Sequence, residues 1–328
     1  LTPDHGGLGT QGEYGTGMSV LITGGTGFIG LHTSRAFLDH GYDVVSTQFR
    51  VRRELAEVEA HRASRFHREV IDVTSAYALD ALFERHDIDQ VLHLATTAVG
   101  GPPAAEDFRV NMDGMIVILE AARRNRVKRV VVASSITAYH GLEGPFLESM
   151  PMPIASNGPT CAFKKAGEIT GLHFADRTGL DVVFARIAFV YGPLYHSFTN
   201  APSRIAHAAV RGLPDAGKAK LLAGDNFDYL YVTDCADALF RMQTSISLKE
   251  RIYNVGGGTA VPLPQVLEAA RAVKPGIEFA FAEGQDPFHK PSSYMDISRF
   301  TRDTGWTPAH DINAGMAAYM AWLKDFEV

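Results

Sequence analysis

Ser19-Val20-Leu21-Ile22-Thr23-Gly24-Gly25-Thr26-Gly27-Phe28-Ile29-Gly30 is the stretch that decides the fold. A β-prone run enters glycines at 24, 27 and 30 without a break, and helical periodicity follows to Gly41. A strand that turns on glycine into a helix builds a site for a pyrophosphate. Glycine allows the tight turn and the close backbone approach, the helix N-terminus faces the negative charge, and the last glycine lets helix and strand touch.

Outward from that turn, short apolar runs alternate with helical periodicity, the βαβ pattern of a parallel sheet covered on both faces. Strands are expected at Ser19 to Thr23, Asp43 to Thr47, Glu69 to Val73, Gln90 to Ala95, Arg129 to Ser134 and Val182 to Phe189. Helices are expected near Val51 to Ala63, at Ala76 to His86, as one long helix from Asp107 to Asn125, and from Cys161 to Thr178. Beyond Tyr191 the alternation loosens among prolines and glycines. The fold class is therefore α/β: a Rossmann-type doubly wound parallel sheet with a smaller C-terminal α/β substrate lobe. Residues 18–190 form the dinucleotide-binding domain and 191–328 mostly the substrate lobe, with some segments returning to the sheet. Residues 1–17, glycine-rich and without an apolar run, stand outside the fold as a disordered leader or an appended tail.

The 328-residue chain is 46% hydrophobic and 21% charged, with a formal net charge of −6. That balance gives no footprint for nucleic acid, and no apolar run is long enough to span a bilayer. Cys161 and Cys235 are the only cysteines. They lack metal-ligand spacing, so no metal and no disulfide framework are expected, and a reducing, cytoplasmic setting is.

The cofactor reading is NAD(P), with NADP slightly preferred over NAD. The glycine turn with Phe28 and Ile29 would hold the pyrophosphate. Asp72 beside Val73 offers a carboxylate to the adenine amino group or caps the next helix. Leu94, Ala95 and Thr96 give a small-residue strand end for the ribose. After strand two, where NAD sites want an acid, stand Gln48 and Phe49 and then Arg50, Arg52 and Arg53, a charge run that suits a 2′-phosphate or a solvated helix start.

The motifs TGGTGFIG, IDV, HLAT, VNMDG, VVASSITAYHG, FKKAGE, RIAFVYGP, DYLYVTDCADAL, YNVGGG and DISRFTRDTGW, in this order, resemble the extended short-chain dehydrogenase/reductases, the NAD-dependent epimerase/dehydratase group, over nearly all residues after Met18. The resemblance implies a serine that bonds the reacting oxygen, an acid/base tyrosine, and a lysine four residues later that holds the nicotinamide ribose. Matching by motif assigns Ser135 and Lys165 to these places, Asn111 as a prop of the site, and a homodimer built on the long helices. It puts Cys161 where the tyrosine should be.

Sulfur reaches roughly 4 Å less far than a tyrosine oxygen, by bond-length addition. Three readings of Cys161 stay open: a short-armed acid/base or nucleophile, a small filler beside a different base, or a mark of lapsed catalysis. Tyr191, Tyr195, His196, Tyr139 and His140 are the alternative acid/base residues.

The family's nucleotide-sugar members clamp a diphosphate with an asparagine and an arginine, whose places here are Phe189 and Phe227. Phenyl rings cannot neutralise a diphosphate, so these two are expected to line a pocket for a small, non-nucleotide substrate bearing a hydroxyl or carbonyl carbon. Arg204 and Lys218 stand as anion anchors or as solvated surface. The alternatives are a nucleotide-sugar epimerase or dehydratase with an altered clamp, a non-redox enzyme using Cys161, and a cofactor-binding sensor.

Overall fold

The computed structural model describes residues 17–49, 52–97, 102–195, 198–212, 217 and 220–325. Its first part alternates as expected from the hydrophobic pattern: β1 (Ser19–Thr23), α1 (Phe28–Asp39), β2 (Asp43–Gln48), α2 (Ala56–Glu59), β3 (Phe66–Val70), α3 (Ala76–Arg85) and β4 (Gln90–His93). Then come α4 (Ala104–Phe108), a π-helical turn (Arg109–Asp113), α5 (Gly114–Arg124), β5 (Arg129–Ser135), a single 3-10 turn (Ile136–Tyr139), α6 (Pro159–Thr178) and β6 (Val182–Ile187). The rest comprises β7 (Phe189–Tyr191), α7 (Ala201–Arg211), β8 (Asn226–Phe227), β9 (Tyr229–Tyr231), α8 (Val232–Thr244), β10 (Ile252–Val255), β11 (Val261–Pro262), α9 (Leu263–Val273), α10 (Ser298–Thr304) and α11 (Ile312–Asp325).

Seven parallel strands form one sheet in the order β10-β6-β5-β4-β1-β2-β3. Both faces of each central strand are apolar because both are covered. Ile22, Leu92, Val131 and Val183 join the cluster on one face with α1 and α8 residues such as Leu31 and Leu239, and Leu21, Val91, Val130 and Val182 join Leu82, Ile118 and Leu119 on the other. The order reverses at β1, between β4 and β2, and such a switch point opens a crevice at the carboxyl ends of the strands. A third cluster around Ile205, Val266, Met316 and Tyr319 holds α7, α9 and α11 together as the small lobe over that edge.

Four boundaries depart from the sequence pattern. β3 ends at Val70, so Asp72 and Val73 lie past the strand, in the turn before α3. β4 ends at His93, which leaves Leu94 and Ala95 as loop. The expected strand to Phe189 breaks at Ala188: β6 stays in the main sheet, while Phe189 to Tyr191 pair in parallel with Tyr229 to Tyr231 and start the small lobe. The long helix from Asp107 is interrupted by the π turn at Arg109–Asp113, a form that in other proteins often marks functional sites.

Candidate active site

The glycine turn is fixed by space as well as by conformation. Gly24 has φ +67°, and a Cβ there would stand 3.1 Å from the backbone of Ala95; at Gly30 it would stand 2.4 Å from the Gly24 carbonyl oxygen. Thr47 Oγ1 accepts the Gly24 N–H at 3.1 Å, which pins the turn to the end of β2. Gly27 is the N-cap of α1, with no side chain capping it, so the helix start presents bare backbone to the cleft.

That cleft is about 900 Å³ in volume. Its walls run from Gly24, Gly27, Phe28, Ile29 and Gly30, past Asp72, Val73, Leu94, Ala95 and Thr96, to Ser135 and on to Phe189 and Phe227 in the small lobe. Those residues, read as cofactor site and as substrate pocket, thus line one continuous space. Its size, its glycine cradle and the uncapped helix start fit a dinucleotide.

Asp72 accepts the backbone N–H of Thr74 at 3.0 Å and its hydroxyl at 2.7 Å, and Arg109 lies 3.3 Å from the other oxygen. Burial opposes ionisation of Asp72, but these bonds and the Arg109 charge outweigh it and hold the carboxyl below its usual range. Phe49 and Arg53 line the same end. Arg52 is turned to Glu54, at 2.6 Å. Arg50, His196 and Lys218 lie outside the described residues. Asn111 sits in the π turn, where it accepts from Thr96 Oγ1 at 2.7 Å and donates to the Asp107 carbonyl and carboxylate at 2.8 Å; it props Thr96 from behind and does not itself line the cleft.

The largest correction concerns α6. The sequence match placed Cys161 and Lys165 at the reacting centre, whereas the residues of α6 that line the cleft are Thr160 and Lys164. One residue along a helix is about 100° of rotation, enough to exchange faces. Lys165 is 5% exposed and donates to the carbonyls of Pro153 at 2.7 Å and Ala155 at 2.6 Å, so it ties down the 140–155 loop. Cys161, on that same side, is 1% exposed. Lys164 Nζ instead donates to the Ala133 carbonyl at 2.7 Å, at the end of β5, and burial lowers its pKa to about 8 against a smaller opposing pull from Glu168.

Ser135 ends β5 beside it. Its oxygen accepts the Thr137 N–H at 3.2 Å and the Thr137 hydroxyl at 3.1 Å, so its own proton is left to donate into the cleft. Ser134 donates to Glu168, which is bound in turn by Arg186 at 2.6 Å in an ion pair buried on both sides. Arg186 also donates to Tyr139, whose hydroxyl donates to Asn254 at 2.7 Å. Tyr139 is thereby committed to the core, and burial raises its pKa to about 12.

Of the other acid/base candidates, Tyr191 is buried among the small-lobe aromatics, its pKa pushed up by burial, and lies away from the cleft. His140 packs on Phe288, ring centroids 3.8 Å apart, also off the cleft. Tyr195 does line it, bonded to Thr199 and edge-on to Phe28 at 5.1 Å. Opposite, Phe189 meets Phe227 edge-on at 5.1 Å, and Phe227 stacks with Tyr229 at 5.5 Å. Arg204 is buried in α7 and does not line the cleft.

A second link joins the two rims. His32 on α1 donates to the Pro193 carbonyl through Nε2 at 3.1 Å, since a carbonyl oxygen can only accept, and burial lowers its pKa to about 4, which keeps the ring neutral. Among the described residues no helix is long and apolar enough to cross a membrane, and no group of His, Cys, Asp and Glu could hold a metal ion.

Residues 20–256 match the model of the NAD dependent epimerase/dehydratase family. The chain belongs to that family. Its members known by sequence include a dTDP-glucose 4,6-dehydratase of Streptomyces griseus, 30% identical over 92% of this chain and 93% of that one. A UDP-glucuronate 4-epimerase of Thermodesulfobacterium geofontis is 27% identical over 93% and 96%. Among solved structures, the UDP-glucose 4-epimerase of Thermus thermophilus in complex with NAD superposes with a TM-score of 0.75 at 26% identity, covering 93% of this chain and 98% of that one. The fold is thus Rossmann-type, and the chain is an enzyme of the short-chain dehydrogenase/reductase kind, in an NAD-dependent family that runs both epimerisation and dehydration. The expectation of a non-nucleotide substrate gains no support from these relatives, whose names are those of nucleotide-sugar enzymes.

Proposed function

We propose that this protein is an NAD(P)-dependent epimerase or dehydratase of a nucleotide-linked sugar. The observation that carries the reading is the continuity of the cleft, from the glycine turn past Ser135 and Lys164 into the small lobe, in a chain similar over nine-tenths of its length to enzymes of that class.

In this reading the start of α1 and the glycine turn bind the pyrophosphate, Asp72 meets the adenine, and Thr96, held by Asn111, borders the ribose. Ser135 donates to the oxygen of the reacting carbon. The dinucleotide, when bound, supplies the hydride acceptor and donor. Arg53 at the adenosine end supports binding of a 2′-phosphate, and the absence of an acid at Gln48 supports it further; tighter binding of NADPH than of NADH would assign NADP, and the reverse NAD. Exposed Phe108, Ile116 and Ile169 on the α4–α6 face support a homodimer.

A second reading, a small non-nucleotide substrate, is favoured by the Phe189–Phe227–Tyr229 wall, since among the described residues lining the cleft the basic side chains are Arg53 and Lys164, neither of them on that wall. A non-redox role for Cys161 loses ground to that thiol's burial, and a lapsed sensor would bind dinucleotide without turnover. Denatured protein should release a dinucleotide on chromatography, and a panel of UDP- and dTDP-sugars should raise the melting temperature of the native protein. Shifts with small apolar carbonyl compounds and none with the nucleotide panel would transfer the reading to the second.

A further inference from the structure

The place that the family fills with tyrosine, four residues before the cleft lysine, is Thr160 in this chain, and an aliphatic hydroxyl is far too weak an acid to hold the proton of an alcohol oxidation. Between the adenosine end and the aromatic wall, the one amine lining the cleft among the described residues is Lys164, which is bonded to Ala133 two residues before Ser135. We infer that Lys164, resting on the proposed oxidoreductase reading, is itself the proton-transfer residue of this enzyme.

The geometry leaves the Lys164 amine free to exchange a proton, and burial brings its neutral form within reach as the pH approaches about 8. Lys164 has no carboxylate within ion-pair distance among the described residues, and its bond to Ala133 needs only one of its N–H groups. As the substrate C–H bond breaks and its hydrogen leaves with both electrons for the oxidised nicotinamide, the O–H bond breaks toward Lys164 Nζ. A C=O bond forms, and the amine becomes an ammonium. The reverse transfer re-forms the alcohol.

The groups around Lys164 favour this. From β4 comes His93, whose Nδ1 shares a hydrogen bond with Thr23 Oγ1 at 2.8 Å. Burial, helped by the Lys164 charge, lowers the His93 pKa to about 3, so the ring is a neutral neighbour. From its own helix comes Glu168, paired with Arg186 of β6 and bonded by Ser134; its remaining pull on Lys164 is smaller than the effect of burial. From the π turn comes Asn111, which engages Asp107. A second cavity, of about 20 Å³, lies behind Lys164, where His93, Asn111 and Ser134 meet apolar residues such as Met115, Phe163 and Phe184. It is large enough for one water.

The test uses the full chain. Amine-reactive labelling across pH, read peptide by peptide, should show Lys164 titrating near pH 8 and losing reactivity when dinucleotide is added. Titration of Lys164 in the ordinary alkaline range of lysine overturns the inference, whatever the substrate proves to be. With a nucleotide sugar found in the panel, Lys164→Met should slow reduction of the bound dinucleotide by about a hundredfold or more, change dinucleotide affinity less than about threefold, and regain rate with added small primary amines. A rate loss with no amine rescue, or one explained by lost dinucleotide affinity, makes Lys164 a positioning residue and overturns it as well. If no nucleotide sugar turns over, the proposed function falls, and the labelling curve still decides the inference.

Discussion

Two sides of one helix, α6, carry adjacent lysines with opposite fates. On the cleft side Thr160, Lys164 and Glu168 follow one another at four-residue spacing, from open space to a buried ion pair. On the loop side Cys161 and Lys165 are sealed, and the Lys165 ammonium is consumed by loop carbonyls. The two ammonium groups share chemistry and chain position to within one residue. What separates them is which neighbours can accept their protons: three backbone oxygens for Lys165, and one for Lys164 together with a desolvating wall. A lysine that is fully hydrogen-bonded is structure; one held by a single bond keeps chemistry in reserve.

The sharpest way to break this contrast is to remove the anchor beneath the cleft side. Glu168→Gln leaves Arg186 buried and charged without its partner and should cost about 3–5 kcal/mol, read as a lower urea midpoint. Next, Lys165→Met should cost about 2 kcal/mol by leaving the Pro153 and Ala155 carbonyls unpaired, with dinucleotide affinity unchanged in a fluorescence titration. A loss of affinity there, with stability intact, would return Lys165 to the cleft. Cys161→Ala should cost about 1 kcal/mol for a small buried group and leave both affinity and turnover as they are.

The smallest effect is one of slope. Lys164 has a folded pKa of about 8, below the roughly 10.4 of an unfolded chain. A lowered pKa means that the folded state binds fewer protons, so the stabilising contribution is complete above the unfolded value and is lost as pH falls toward the folded one. Between those limits the melting temperature of the wild type should rise with pH relative to Lys164→Met, while Lys165→Met should keep the wild-type slope.

This also explains what could and could not be read from the chain. The turn at Gly24 to Gly30 was legible because its glycines answer to backbone space, and Ser135 because it ends a strand built on three successive valines. The face of α6 was not. Paired lysines in FKKAGE allow two registers, and small and apolar residues such as Ala162, Phe163, Ala166 and Leu172 are spread around the helix without marking an inner stripe. A signal was nevertheless present: Glu168 falls four residues after Lys164, and a buried acid needs the company of β5 and Arg186, which fixes that side inward. The small lobe was less legible still, since β7 to β9 are two- and three-residue strands whose pairing comes from contacts distant in sequence.

The imidazole bond between His32 and Pro193 has a consequence for how the molecule meets its ligands. It fastens the helix that begins at the glycine turn to the loop that carries Tyr195, and with a donor that keeps its proton state above about pH 4 it does not loosen in mild acid. The two lips of the cleft are thus riveted at that point. Discrimination between ligands there falls to the side chains along the walls, and a redesign that grafts a new 193–199 segment would have to carry the rivet with it.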